Sequence, residues 1–343
     1  MSKKVLIVDD SAFVRRMLQD WLKEEADFEV VGIAKDGVEG VQMAKDLDPD
    51  VVTLDVEMPN MDGITALGHI MAHKPRAVLM VSSITTDGAD ATLKALERGA
   101  YDFVTKPQGG NSLRLIEAKN TFLERLRASR YARIGHPVRP TIVKAGVCKT
   151  SDKVVVVASS TGGPRTLVSL FESLPKGFPC PIVMVQHMPV GFTASLAARL
   201  NSLGTVPCSE AKDGEKIEGG HAYLAPGGKH LVIASDGKLK LTDTPSIHGV
   251  KPAADHLFKS ASDVYGAKCL GVVLTGMGRD GADGAVAIKA KGGRVYGEAE
   301  SSCVIYGMPQ AAKKAGGVDA EFDIKEIGAA IVAGVAGRTA LAS

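Results

Sequence analysis

No stretch of this sequence stays apolar for anything near the ~20 residues that a membrane-spanning helix requires, so membrane insertion is not expected. A secretory leader is not visible either: the first apolar run, residues 5–8, is short and is closed by Asp9 and Asp10. Excess charge of one sign is missing as well. The 41 Lys and Arg against 39 Asp and Glu leave a net charge of +2, too little to hold nucleic acid or an anionic membrane through bulk electrostatics. Arg125, Arg127, Arg130, Arg133 and Arg139 do crowd into one stretch, which reads as a solvated helix face or linker. Cysteines are few and scattered: Cys148, Cys180, Cys208, Cys269 and Cys303 are odd in number and form no Cys-x-x-Cys pair. That argues against a disulfide framework or a zinc site and for a reducing, cytoplasmic setting. Internal repeats and low-complexity tracts are also absent.

What remains is a 343-residue chain long enough for two domains, each burying its own core. Short apolar runs alternate with amphipathic segments, the pattern of parallel α/β folding. In the first part, strands are expected at residues 4–8, 30–34, 51–55, 77–81 and 101–105. Helices are expected at 12–25, 37–46, 63–72, 89–98 and 112–126. Five such units make a doubly wound, five-stranded parallel domain over residues 1–125. Residues 126–150 are basic, weakly patterned and carry Gly135, Pro137, Pro140 and Gly146, which reads as a linker. Residues 151–343 restart the alternation, with strands at 153–158, 182–185, 222–225, 230–234, 238–241, 270–275 and 294–296. Helices there fit 193–203, 253–265, 282–290 and 324–336, with another starting at Pro164. A mostly parallel α/β domain with a small antiparallel insertion around residues 221–242 is expected.

Open α/β sheets bind ligands beyond the carboxyl ends of their strands. Asp9 and Asp10 end the first strand, Asp55 the third, Ser82 the fourth and Lys106 follows the fifth. One Asp at such a place is commonly a helix cap. Three carboxylates gathered there repel one another unless a cation intervenes, and hard oxygen ligands favour Mg²⁺. Lys106 and the Ser82 hydroxyl suit a phosphoryl group carried on Asp55. This pattern resembles the receiver domains of two-component response regulators. The resemblance implies Asp55 as phosphoacceptor, with Mg²⁺ held by Asp9, Asp10, Asp55 and the Glu57 backbone carbonyl. It further implies Ser82 as switch hydroxyl, Phe103 as the aromatic that moves with it, Lys106 as the phosphate-contacting cation, and a histidine kinase as phosphodonor.

In the second part, the run Ala158-Ser159-Ser160-Thr161-Gly162-Gly163-Pro164 turns a fully apolar strand into a helix. Such a turn lifts a side chain above the sheet and presents backbone N–H groups to a developing oxyanion. It could instead be a phosphate nest, but it lacks both the Gly-Lys-Ser/Thr of a P-loop and a dinucleotide fingerprint. His187 directly follows residues 182–185, and Asp280 follows residues 270–275 within Thr275-Gly276-Met277-Gly278-Arg279-Asp280. Nucleophile, base and orienting carboxylate are therefore expected from Ser160, His187 and Asp280. Ser159 is the rival nucleophile, and His221, His230, His248 and His256 are rival bases that do not directly follow a strand. No His/Asp cluster for a metal is visible in this half, and no cofactor is expected there.

The order Ser, His, Asp differs from that of ordinary α/β-hydrolases. It resembles the catalytic domain of the chemotaxis protein-glutamate methylesterase (CheB) family. The blocks that carry the likeness are Ser160-Thr161-Gly162-Gly163, Gln186-His187-Met188-Pro189, the run at 221–227, the run at 274–281, and Ser302-Cys303-Val304-Ile305-Tyr306-Gly307-Met308-Pro309. The resemblance favours Ser160 over Ser159 and places the oxyanion site near Met277 and Thr161. It implies a phosphorylation-activated hydrolase acting on glutamate methyl esters, and on glutamines, of methyl-accepting chemoreceptors. Ala158, where relatives often carry glycine, is a departure at the tight turn. The competing reading is a receiver-controlled regulator that binds a partner or DNA without catalysis, which would call for a small basic output domain.

Overall fold

The computed structural model describes residues 2–107, 112–135 and 151–338, with the side chain of Leu113 excepted. Most of the expected linker, with Arg139 and Cys148, lies outside the described residues. The chain forms two compact units that part within residues 136–150.

The first unit holds strands β1 (Lys3–Val8), β2 (Phe28–Ala34), β3 (Val51–Asp55), β4 (Ala77–Ser82) and β5 (Asp102–Thr105). Helices α1 (Ala12–Lys23), α2 (Gly37–Asp46), α3 (Gly63–His73), α4 (Thr86–Glu97) and α5 (Ser112–Ala128) alternate with them. The order β2-β1-β3-β4-β5 is wholly parallel. Every residue of β3 and β4 is buried, as strands covered on both faces by helices must be. Helix starts are set locally: Ser11, Asp36, Asp62 and Thr85 each accept a backbone N–H from the first turn. Thr85 explains why α4 opens at Thr86 rather than at residue 89. Its hydroxyl captures the Gly88 N–H at 3.0 Å, so a polar, glycine-containing turn with little apolar signal is helical.

The second unit comprises β6 (Val154–Ser159), α6 (Gly163–Ser173), β7 (Ile182–Gln186), α7 (Phe192–Ser202), β8 (Cys208–Glu210), β9 (Ala222–Leu224), β10 (His230–Ile233), β11 (Leu239–Thr242), α8 (Ala254–Tyr265), β12 (Cys269–Val273), α9 (Ala282–Ala290), β13 (Arg294–Glu298), α10 (Met308–Lys314), β14 (Ala320–Phe322) and α11 (Ile324–Val335). Its main sheet is parallel in the order β14-β13-β12-β6-β7-β9-β8, and β10 and β11 form a separate antiparallel pair. This corrects the expected insertion at its start. β9 is a parallel member of the main sheet, bonded to β7 and β8, and the antiparallel ladder starts at His230, not at residue 221. The edge strands β8 and β14, three residues each, and the seven-residue α10 were not expected; they are too short to display a period. Central strands β6, β7 and β12 bury every residue, and their carboxyl ends converge on one edge.

Candidate functional sites

At the carboxyl edge of the first sheet, the register sets Val8 beside Leu54 and Asp55 beside Val81, so Asp9, Asp55 and Ser82 reach one rim. Asp9 and Asp55 are 1% and 2% exposed. Lys106 Nζ lies 2.6 Å from Asp55 Oδ2 and 3.0 Å from Asp9 Oδ2. Burial pushes the Asp55 carboxyl up to about 6; the Asp9 charge adds to the rise, and Lys106 only partly offsets it. Asp9 is raised for the same first cause, while the two carboxylates outweigh burial at Lys106 and hold its ammonium protonated to higher pH. These residues fit a hard divalent cation. Oxygens of Asp9, Asp10 and Asp55 lie within 4.8 Å of one another, and buried Asp9 Oδ2 has no hydrogen bond of good geometry. The Glu57 N–H is 3.4 Å from Asp55 Oδ1, which places that residue's backbone at the rim. Ser82 is turned to α4, donating to the Gly88 carbonyl at 3.2 Å and accepting from Thr92 Oγ1 at 2.8 Å. The Phe103 ring is buried.

In the second unit, β6 runs out between β7 and β12. The Ser160 N–H donates to the Thr275 carbonyl at 3.0 Å, and the His187 N–H donates to the Ser159 carbonyl at 3.1 Å. Gln186 clamps the turn from the side. Its Oε1 accepts from Ser159 Oγ at 2.7 Å, and its Nε2 donates to the carbonyls of Ser160 (2.9 Å) and His187 (3.2 Å). That clamp separates the two serines: the Ser159 hydroxyl is committed and wholly buried, whereas Ser160 is 4% exposed at the rim. Gly162, at φ +80°, makes the sharp turn into α6, and Pro164 occupies the first turn of that helix. The Ala158 methyl is absorbed in the core beside Val156 and Phe258.

His187 Nε2 and Asp280 Oδ2 are 2.7 Å apart, both buried. Asp280 also accepts the N–H groups of Ala254 (2.6 Å), Asp255 (3.0 Å) and Gly281 (3.0 Å). Burial alone would raise this carboxyl, but His187 and the N-terminus of α8 outweigh it, and Asp280 is held below the usual range. The rival histidines are engaged elsewhere. His230 Nδ1 accepts from Ala253 N–H and its Nε2 donates to the Pro245 carbonyl; His221 meets Ser209, His248 meets Asp255, and the His256 ring packs tilted against that of His230.

The Ser160 N–H is spent on Thr275, and Thr161 and the Gly276–Met277 segment lie next to Ser160. Gly276 makes that proximity feasible: a Cβ there would sit 2.8 Å from Ser160 Cβ and 2.3 Å from Met308 Sδ. Sequence reasoning gave no role to Gln186 and Thr275, which it quoted only as members of longer blocks, and it missed the α8 N-terminus. It also saw no metal-type cluster in this half, whereas His248, Asp255 and Asp283 bring ligand atoms within 4.8 Å. Three separate segments meet there. Each side chain already has a protein partner: His248 on Asp255, Asp255 on Gly284 N–H, and Asp283 on Arg279.

Together these features define a mixed α/β protein in which a receiver-type parallel domain precedes an enzyme domain. Family models agree: "Response regulator receiver domain" matches residues 5–117, and "CheB methylesterase" matches residues 155–331. A protein-glutamate methylesterase/protein-glutamine glutaminase of Thermotoga maritima is 46% identical over 325 residues, covering 92% of this chain and 94% of the relative. One of Pyrococcus horikoshii is 42% identical over 343 residues, covering 97% and 93%. The crystal structure of the T. maritima CheB methylesterase catalytic domain matches with TM-score 0.52 and 43% identity, over 53% of this chain and 98% of that one. The chain belongs to the CheB methylesterase family.

The clamp makes one expectation. A Cβ at Gly163 would lie 1.9 Å from Gln186 Oε1, so Gly163→Ala must displace Gln186 from both serines. Thermal unfolding of the variant should show a loss of roughly 1–3 kcal/mol; an unchanged transition would mean the clamp is not rigid.

Proposed function

We propose that this protein hydrolyses γ-methyl esters of glutamate, and deamidates glutamine, on the cytoplasmic helices of chemoreceptors, under control of phosphorylation at Asp55. The observation that carries the hydrolytic reading is the buried 2.7 Å contact of His187 with Asp280, beside the strand end that bears Ser160. Family membership supplies the substrate class, and the absence of a helix long and apolar enough to cross a membrane, among the described residues, is compatible with cytoplasmic action.

His187 Nε2–H donates to Asp280, which leaves Nδ1 as the base. Ser160 Oγ attacks the ester carbonyl carbon as its proton passes to Nδ1. The oxyanion is met by backbone N–H groups at Thr161 and Met277, and Asp280 stabilises the imidazolium. Nδ1 then returns the proton to the departing methoxide, releasing methanol, or to the departing amide nitrogen of a glutamine, releasing ammonia. Water, deprotonated by the same nitrogen, attacks the acyl carbon; the bond to Ser160 Oγ breaks, glutamate leaves, and Nδ1 returns the proton to Oγ. Ser160 is favoured over Ser159 because the Ser159 hydroxyl is bound to Gln186.

In the receiver, Asp9, Asp10, Asp55 and the Glu57 carbonyl would hold Mg²⁺, which when bound neutralises charge on phosphoryl oxygens. Asp55 takes a phosphoryl group from a histidine kinase, and Lys106 moves from carboxylate to phosphate. The Ser82 hydroxyl leaves Gly88 for the new acceptor, and Phe103 follows.

Two outcomes test this. Ser160→Ala should lower methanol release from methylated receptor membranes by roughly 10³–10⁶-fold with an unchanged circular-dichroism spectrum; retention of most activity there, with loss in Ser159→Ala, would reassign the nucleophile. Asp55→Asn should hydrolyse at one rate with or without acetyl phosphate, whereas the native chain is stimulated; equal stimulation of both would reject control through Asp55.

A further inference from the structure

One ionisable side chain at the hydrolytic site has no part in the scheme above. Glu298 ends β13, adjacent to β12, and is wholly buried. Its Oε2 accepts the Thr275 N–H at 2.8 Å, and its Oε1 lies 3.0 Å from Ser302 Oγ. Thr275 passes the constraint on. Its carbonyl accepts the Ser160 N–H at 3.0 Å. Its hydroxyl donates to the Thr161 carbonyl at 3.0 Å and accepts the Ile305 N–H at 2.9 Å. The carboxyl therefore stands two hydrogen bonds behind Ser160, at the junction of the nucleophile turn, the Gly276–Met277 loop and the loop before α10.

We propose that Glu298 is a positioning residue for acyl transfer: through Thr275 it holds the backbone of Ser160 and Thr161 where hydroxyl and N–H groups converge on one carbonyl. The inference rests on Ser160 being the nucleophile.

The surroundings add a dependence on protonation. Facing groups are Arg165 from the first turn of α6, Asp323 at the start of α11, and Ser302 and Cys303 beside it. Burial pushes the Glu298 acid up to about 7, against the hydrogen bonds from Thr275 and Ser302, and Asp323 adds to the rise. A neutral acid keeps one oxygen for Thr275 and gives its O–H to Ser302. The ionised form adds negative charge behind the oxyanion donors and opposes the charge that develops there. Folded Glu298 deprotonates as pH rises through about 7, so the penalty grows above that pH. Glutamine copies the neutral form at every pH.

The test uses the full chain with Glu298→Gln, Glu298→Ala and Ser160→Ala, and reads the rate of reaction with a fluorophosphonate ester. In that reaction Ser160 Oγ bonds to phosphorus and fluoride leaves. At about pH 5.5 the Gln variant should react within about twofold of the native chain, and by about pH 8.5 the Gln/native ratio should rise about fivefold. Glu298→Ala should be about tenfold slower at both. A Gln/native ratio that does not change with pH, or an Ala variant as fast as native, overturns the proposal; should Glu298→Ala not fold, the Gln ratio decides alone. If the native chain is not labelled at Ser160, the parent reading fails. If it is, and the Glu298 variants track it, this inference alone fails.

Discussion

The hydrolytic unit is organised around a carboxylate that has been removed from water. Asp280 is 2% exposed, and an ionised group so placed persists only where donors replace its hydration. Four do: the N–H groups of Ala254, Asp255 and Gly281, and the His187 ring. Satisfying them fixes the N-terminus of α8, the start of α9 and the end of β7 relative to one another. The His187 ring is oriented as a by-product of solving the solvation of its partner.

The receiver solves the same problem differently, and the contrast is informative. Asp9 and Asp55 are as buried as Asp280, yet their carboxyls are raised while that of Asp280 is lowered. Backbone donors are sparse there: Asp9 has Ser11 N–H at 2.9 Å and Asp55 has a long contact to Glu57. Two carboxylates share one ammonium. Such a site is electrostatically incomplete, and incompleteness suits the cation and phosphoryl group proposed to bind there. Completeness suits the role proposed for Asp280, to remain ionised while a neighbour gains and loses a proton.

Backbone connections carry much of the second site. Ser160 is held through Thr275, and Ser159 through Gln186, while Gly276 admits the facing loop to within contact of Ser160. Each of these residues sits at the carboxyl end of a central parallel strand or within three residues beyond it. Parallel strands ending on one edge deliver their following residues to one place, which is why three segments more than 25 residues apart in sequence share a single rim.

That topological rule also explains what could be read in advance. Apolar runs punctuated by Asp, Ser, His and Lys located both rims, since a buried strand must be apolar until its end and the first polar residue after it marks the edge. Thr-Gly-Gly-Pro after β6 marked a strand-to-helix turn for the same local reason. Three-residue edge strands were illegible because a period needs length, and β9 passed as antiparallel because pairing partners are not encoded locally. The amino-acid sequence by itself determined the fold class and the residues that finish each strand, because burial periodicity and turn chemistry act over a few neighbours. Only tertiary structure decided that Ser159 is bound while Ser160 stands at the rim, that α8 caps Asp280, and that Glu298 lies behind Thr275. Those contacts join residues 23 to 30 positions apart, and their worth depends on a burial that no local pattern carries.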